Sequence, residues 1–454
     1  METMIASQRA FFATGRTRPP AYRLQMLETL REAIRVSERD ILDALHRDMK
    51  RSELDAYTTE VGSCLAEIRF AIKHLRKWMK GRRAGGSMLF PLSRGRVVPE
   101  PLGVCLILSP WNYPFRLAIS PLIGSLAAGN CVVLKPSEIS VHTERVIREM
   151  IAKHFEPELV SVVCGGADVA QQLLAQRFDH IFYTGGEAIG QAVMTAAARH
   201  TTPVTLELGG KSPCVVDERC DIDKAARRIV WGKFLNAGQT CVAPDFLLVH
   251  AHVKTKLIDA MKAAAVKFYG DSPRDSADYG RIINERHFDR LAQLLTDGDV
   301  VMGGQVDRED RYIAPTLIEN VKADSALLTE EIFGPILPIL EFSDVSEAID
   351  RINSAAKPLA LYVFSQDKVF QQTVITRTSS GAACVNDAVV HLTALSLPFG
   401  GVGSSGFGRS QGKAGFDTFS NPKSIFTQTT LFDIPKRFPP ADKLGLKLLR
   451  FLLR

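Results

Sequence analysis

Residues 104–138 read VCLILSPWNYPFRLAISPLIGSLAAGNCVVLKPSE. Two short apolar runs, VCLIL (104–108) and CVVLK (131–135), flank a stretch of helical length. Unbroken apolar runs of this size suit strands buried on both faces, and a helix between them makes a βαβ unit of a parallel sheet. The runs VSVVC (160–164) and HIFYT (180–184) continue the alternation.

Upstream, residues 21–80 read as helices with charged outer faces, the last ending near Trp78, and a Gly/Arg-rich break follows at 81–86. Downstream, a second alternating region begins near Cys214. It contains LLVH (247–250), YIAPTLI (312–318), ILPILEF (336–342) and LYVF (361–364). The expected fold is α/β with two lobes and a site between them.

The 454 residues are enough for two or three domains. A hydrophobic share of 46% and a charged share of 23% exclude disordered, collagen-like and multi-span membrane classes. Net charge, 56 basic minus 50 acidic residues, is +6, too mild and scattered to indicate nucleic acid. No run of 18 apolar residues occurs, and METMIASQRAFFATGRTRPP lacks the apolar core of a secretory signal. The cysteines at 64, 105, 131, 164, 214, 220, 241 and 384 form no CxxC pair and no zinc-spaced cluster. Reduced thiols in a cytoplasmic protein, without a metal site, are expected.

Seven segments could carry chemistry. In YTGGEAIG (183–190) a strand runs into a helix through glycines, which lets backbone N–H groups approach a phosphate. The G-x-G-x-x-G pattern is incomplete, and an ordinary strand-to-helix turn fits equally. In LKPSEIS (134–140), Lys135 ends a strand and Glu138 could take ribose hydroxyls, or Ser137 and Glu138 could simply start a helix. PWNYP (110–114) brackets Asn112 between prolines and aromatics, a rigid mount for an oxyanion donor or merely a packed turn.

TLELGGKSP (205–213) sets Glu207 among apolar residues, where a carboxylate acquires the raised pKa of a general base. NAGQTCVAP (236–244) places Cys241 in a loop of small residues, as a nucleophile or as inert core. EEIFGP (330–335) offers two acids before an aromatic and a Gly-Pro turn. LPFGGVGSSGFGRSQGKAGFDTFS (397–420) is a glycine-rich groove wall or a loop.

In this order the segments resemble the NAD(P)-dependent aldehyde dehydrogenase superfamily from about Arg96 to Phe426, and the preceding helices also fit. PWNYPF, GQTCVAPDF and GKAGFDTFS are most similar to its class 3 branch of fatty, aromatic and coniferyl aldehyde dehydrogenases. The resemblance implies a Rossmann-like cofactor domain (1–81 and 102–206), a catalytic domain (207–396) and a small β bridging element (82–101 and 417–433) that makes a homodimer. It implies Cys241 as nucleophile, Glu207 as general base and Asn112 as oxyanion donor with the Cys241 N–H. Lys135 and Glu138 would take the adenosine ribose, Gly185 to Gly190 the pyrophosphate, and Glu331 the nicotinamide ribose of NAD or NADP. Phe333 and Phe399 would flank the nicotinamide. The implied substrate is a medium- or long-chain aliphatic or an aromatic aldehyde. A CoA-acylating relative and a non-catalytic scaffold are the alternatives. Glu207, useful when water is the acceptor, opposes the first, and the intact set of reactive residues opposes the second.

Two features depart from the pattern. Gly186 and Glu187 follow the first glycine of the pyrophosphate turn, where many relatives carry Ser or Asn. The tail 434–454 ends in KLGLKLLRFLLR, with Lys443, Lys447, Arg450 and Arg454 on one helical face. Twelve helical residues span about 18 Å, too short to cross a bilayer. Peripheral contact with a membrane surface and packing onto the protein's own dimer are both open.

Overall fold

Strands Val104–Leu108 and Cys131–Lys135 are buried along their whole length, as their composition requires. With Val160–Val162, His180–Thr184 and Val204–Glu207 they form a parallel sheet. Across the sheet the order is 160–162, 131–135, 104–108, 180–184, 204–207. The crossovers on either side of Val104–Leu108 diverge, which opens a crevice at its C-terminal end. The computed structural model describes residues 1–87, 89–90, 92–433, 438–440 and 443–453, without the side chains at 448 and 452.

A second sheet has six parallel strands in the order Thr316–Glu319, Ile336–Phe342, Phe246–His250, Pro213–Val216, Ala360–Phe364 and Ala382–Val385. Asp299–Met302 adds an antiparallel edge. The chain passes from the first sheet to the second directly, from Val204–Glu207 through 208–212 into Pro213–Val216. The C-terminal edge of one sheet therefore faces the N-terminal edge of the other. A separate antiparallel sheet joins Arg82–Ala84, Arg94–Pro101 and Ser420–Thr427.

Three readings of the sequence change. YIAPTLI is two strands: Tyr312–Ile313 pairs with Val306–Asp307 in a ribbon, and Thr316–Glu319 enters the main sheet. Pro315 between them has no N–H to give a ladder. VSVVC shortens to Val160–Val162. An additional helix, Glu2–Ala13, precedes the expected ones, and its buried Gln8 amide donates to the carbonyls of Val132 (3.0 Å) and Pro157 (3.2 Å). Among the described residues no helix is long and apolar enough to cross a membrane.

Buried carboxylates from the helical layer hold the crevice in shape. Glu60 accepts the N–H groups of Phe115 (2.8 Å) and Arg116 (3.0 Å), just after the PWNYP turn, and pairs with the fully buried Arg51. Arg51 also binds Asp55 through two bonds of 3.0 Å and lies 4.8 Å from the Tyr113 ring centre. Glu67 accepts from Ser120 Oγ (2.6 Å) and the Gly412 N–H (3.0 Å). Glu60→Ala leaves a buried guanidinium short of a counter-charge and two N–H groups without acceptors. A loss of about 3–5 kcal/mol is expected, read as a fall in the urea unfolding midpoint. Glu60→Gln, which keeps an acceptor, is expected to lose less.

Candidate active site

Glu207 ends a strand of the first sheet and is buried. Its Oε1 accepts from Ser410 Oγ at 2.9 Å, while Oε2 has no partner among the described residues. Gly406–Phe407 pairs antiparallel with this strand, Gly406 opposite Glu207, so the glycine-rich segment delivers Ser410 to the carboxylate. Burial pushes the Glu207 carboxyl up to about 8, against the opposing pull of Ser410 and Arg409. A carboxyl in that range can take or release a proton near neutral pH.

Cys241 follows a kinked loop in which Asn236 and Ala237 both have φ of 52°. The loop is pinned by Gln239, whose amide donates to Asn236 O (3.1 Å) and Arg281 O (2.9 Å) and accepts the Ile283 N–H (2.9 Å). Asn112 Nδ2 donates to Gln239 O at 3.1 Å, and Asn236 Nδ2 donates to Asn112 O at 2.8 Å. Tyr113 Oη lies 2.7 Å from Thr240 Oγ1. The PWNYP turn is thus tied to the cysteine loop, with one of the two Asn112 amide hydrogens committed and the other free for a ligand. Burial, followed by the charges of Glu331 and Glu207, pushes the Cys241 thiol up to about 12, so it rests protonated.

Glu331 comes from the turn before Ile336–Phe342. Lys211 and Asp245 form an ion pair that suspends this turn. Lys211 Nζ donates to the carbonyls of Leu327 and Glu330 at 2.8 Å each, and Asp245 Oδ1 accepts the Ile332 N–H at 3.0 Å. A Cβ on Gly209 would meet Glu331 Oε2 at 2.1 Å, and one on Gly238 would meet Gly334 O at 2.2 Å. Both glycines are required by close approach. Glu331 Oε1 is buried without a partner. Burial and then Asp245 push its carboxyl up to about 8, against the Gly210 N–H, Lys211 and Lys233. Phe333, at φ 50°, sets its ring edge-on to Trp111 at 5.3 Å.

Two cavities meet at Cys241, Glu207, Leu208, Thr184 and Leu117. One, of about 940 Å³, is lined by Trp111, Asn112, Gly185, Gly186, Glu331 and Phe333. The other, of about 780 Å³, is largely apolar, with Leu235, Val242, Leu359, Val389, Leu392 and Phe399 in its walls. Phe333 lines the first cavity and Phe399 the second, and both cavities reach Cys241.

The first cavity fits a dinucleotide. It lies at the divergence of the crossovers, beneath the N-terminus of helix Glu187–Ala198. Gly185 has no room for a side chain, since a Cβ would meet Tyr183 Oη at 2.1 Å. Gly190 packs the helix onto Leu208, where a Cβ would come within 2.9 Å. Glu187 is exposed. The orphaned Glu331 oxygen is an acceptor waiting for hydroxyls. Lys135 and Glu138 sit further along the same sheet edge, outside both cavities, paired at 2.8 Å. Sequence reading singled out neither Ser410 nor the Lys211–Asp245 pair, although all three lie inside quoted motifs.

Residues 1–425 match the model of the aldehyde dehydrogenase family. The chain is 46% identical to aldehyde dehydrogenase family 3 member A2 of Mus musculus, over 100% of this chain and 94% of that one. It is 45% identical to aldehyde dehydrogenase family 3 member B1 of Homo sapiens, over 99% and 96%. A structure of the substrate-bound state of Staphylococcus aureus AldH superposes with TM-score 0.97 at 43% identity, covering 100% and 99%. The chain belongs to the aldehyde dehydrogenase family, on its class 3 branch, and is an NAD(P)-dependent enzyme that oxidises an aldehyde to the carboxylic acid.

Proposed function

We propose that the aldehyde is a medium- or long-chain aliphatic or an aromatic one, taken up by the apolar cavity beside Cys241. The carrying observation is that this cavity and the dinucleotide cavity share only the walls around Cys241 and Glu207. Aldehyde and cofactor then reach the sulfur from opposite sides. Phe333 and Phe399, one in each cavity wall, would flank the nicotinamide end between them.

Cys241 adds to the carbonyl carbon, its proton passing to the ionised form of Glu207, whose Oε2 is unpartnered among the described residues. The free Asn112 amide hydrogen and the Cys241 N–H receive the oxyanion, preorganised by the bond from Asn112 to Gln239. NAD or NADP, when bound, supplies the oxidant that takes hydride from this adduct. Glu331 would hold the nicotinamide ribose, Lys135 and Glu138 the adenosine ribose, and Gly185 to Gly190 the pyrophosphate. Once Glu207 has released the thiol's proton to solvent, it deprotonates the water that hydrolyses the thioester left on Cys241, with Ser410 fixing the carboxylate. The three-stranded sheet is the proposed homodimer contact, supported by the exposed Phe426 on its outer strand.

The tail supports a second contact. Helix Lys443–Leu452 exposes Leu444, Leu446, Leu449 and Phe451 beside Lys443, Lys447 and Arg450, while Arg454, 434–437 and 441–442 lie outside the described residues. We propose that this basic amphipathic helix lies on an anionic membrane surface of an otherwise cytoplasmic enzyme.

Cys241→Ser is expected to abolish turnover while NAD(P) binding, read by fluorescence titration, survives. Normal turnover by the folded variant would remove Cys241 from the chemistry. Glu207→Gln, which removes the acceptor of the Cys241 proton, is expected to slow the stoichiometric burst of reduced cofactor and then to lose at least about 100-fold in steady turnover. In the wild type, Glu207 is protonated below its raised pKa. Thioester hydrolysis should therefore rise with pH toward about 8 and level off above it, a limb absent from the Gln variant. The intact chain should co-sediment with anionic vesicles, less at high salt. Truncation after Asp442 should end that binding and spare activity on short aldehydes. A truncation that instead lowers the melting temperature or splits the dimer would assign the helix to self-packing.

A further inference from the structure

Glu218, His250 and His252 bring three potential ligand atoms to within 4.8 Å of one another. Among the described residues no other three His, Cys, Asp or Glu side chains converge in this way. The cluster stands at the C-terminal edge of the second sheet, away from the edge that faces the first sheet. His250 ends strand Phe246–His250, and Glu218 lies just beyond the neighbouring parallel strand Pro213–Val216. The sequence carries no metal-ligand spacing here, because Glu218 and His252 are 34 positions apart and meet only through that strand pairing.

Backbone structure holds all three in place. The Asp217 N–H donates to Phe364 O (2.9 Å), the Cys220 N–H to Asp217 O (3.2 Å) and the Gln366 N–H to Arg219 O (2.8 Å), so the turn that carries Glu218 is tied on both sides. His250 is paired opposite Phe342 and sets its ring edge-on to it at 5.4 Å. The chain leaves the strand in a 3-10 turn, Ala251–Val253, which brings the two imidazole centres to 4.7 Å.

Among the described residues no Lys or Arg pairs with Glu218, and the adjacent Arg219 goes to Asp217 (3.7 Å) and Asp367. Glu218 Oε2 lies 2.8 Å from His252 Nδ1 and 3.9 Å from His250 Nδ1. A carboxylate only accepts, so His252 Nδ1 bears the proton of that short bond. His250 Nδ1 accepts the His252 N–H at 3.3 Å, so it carries a lone pair. Imidazole and carboxylate bind zinc-like cations at about 2.0–2.2 Å, which draws the donors to within about 3–4 Å of each other. Small side-chain rotations reach that spacing. Two imidazoles and a carboxylate suit Zn²⁺, Co²⁺, Ni²⁺ or Cu²⁺, whereas Mg²⁺ and Ca²⁺ take sets of oxygen ligands.

We propose that Glu218, His250 and His252 form a site for one divalent transition-metal ion of this borderline class, with water completing its coordination. As the metal takes its place between Glu218 and His252, the Nδ1 proton of His252 moves to Nε2, and one hydrogen bond is exchanged for two metal–ligand bonds. The ion ties the turn after Pro213–Val216 to the start of helix Lys254–Tyr269 and takes no part in aldehyde oxidation.

The test titrates metal-depleted, full-length enzyme with Co²⁺, followed by calorimetry, visible absorption and thermal melting. One equivalent is expected to bind, with the ligand-field bands of nitrogen and oxygen donors, and to raise the melting temperature. His252→Ala and Glu218→Gln, both at exposed side chains, are expected to weaken binding at least about tenfold and to cancel the rise, and His250→Gln to do the same. Turnover of short aldehydes by the metal-free variants should equal that of the wild type, which establishes that they fold. No saturable binding, or binding undiminished in the folded His252→Ala/Glu218→Gln double variant, overturns the proposal. A thiolate-to-cobalt band retained in that variant would assign the metal to a cysteine instead.

Discussion

Five residues, 208–212, carry the chain from the edge of one sheet to the edge of the other, and the chemistry is confined to what that span permits. It has no slack. Glu207 precedes it, locked into two ladders, and Pro213 follows it at once in the central part of the second sheet. Within it, Gly209 lies against the Glu331 carboxylate and Lys211 holds the carbonyls of Leu327 and Glu330 just before that glutamate. The general base, the ribose acceptor and the anchor of the Glu331 turn are therefore spaced by one short piece of backbone. An insertion there would move the two sheets apart and separate Glu207 from Cys241.

Local pattern carried the strands of the first sheet because each is an unbroken apolar run with no competing period. Their order across the sheet had no such local signal. The placement of Phe399 and Ser410 was equally out of reach. Ser410 meets Glu207 across 203 positions, a pairing created by Gly406–Phe407 joining the sheet edge. Glycine content marks such a segment as unusual without saying what it touches. YIAPTLI misled for a specific reason: strand formers stand at both of its ends, and one proline divides them between two sheets. Cys241, Glu207 and Asn112 were legible as candidates, but only resemblance assembled them. In the structure, the Gln239 backbone carbonyl ties Asn112 to the cysteine loop, the Gln239 side-chain amide pins that loop, and Ser410 fixes Glu207.

Desolvation is the common currency of the site. It lifts Glu207 and Glu331 to about 8 and Cys241 to about 12 by the same physical cause. Each group is mainly protonated at neutral pH. A resting site holding several ionised carboxylates next to a thiolate would pull in water and cations. The neutral one stays dry enough for an aldehyde to compete.

The protonated state of Cys241 also bears on the enzyme's durability. Peroxides and alkylating agents attack thiolates far faster than thiols, and sulfenic acid formation begins from the anion. An enzyme whose nucleophile is a thiolate at all times would be consumed by the reactive electrophiles it meets between turnovers. Here the sulfur becomes nucleophilic as its proton moves to a neighbour during catalysis. Burial thus spares the one cysteine the enzyme cannot lose. The fully buried Cys64, Cys105 and Cys214, pushed higher still, share the same protection without any use for it.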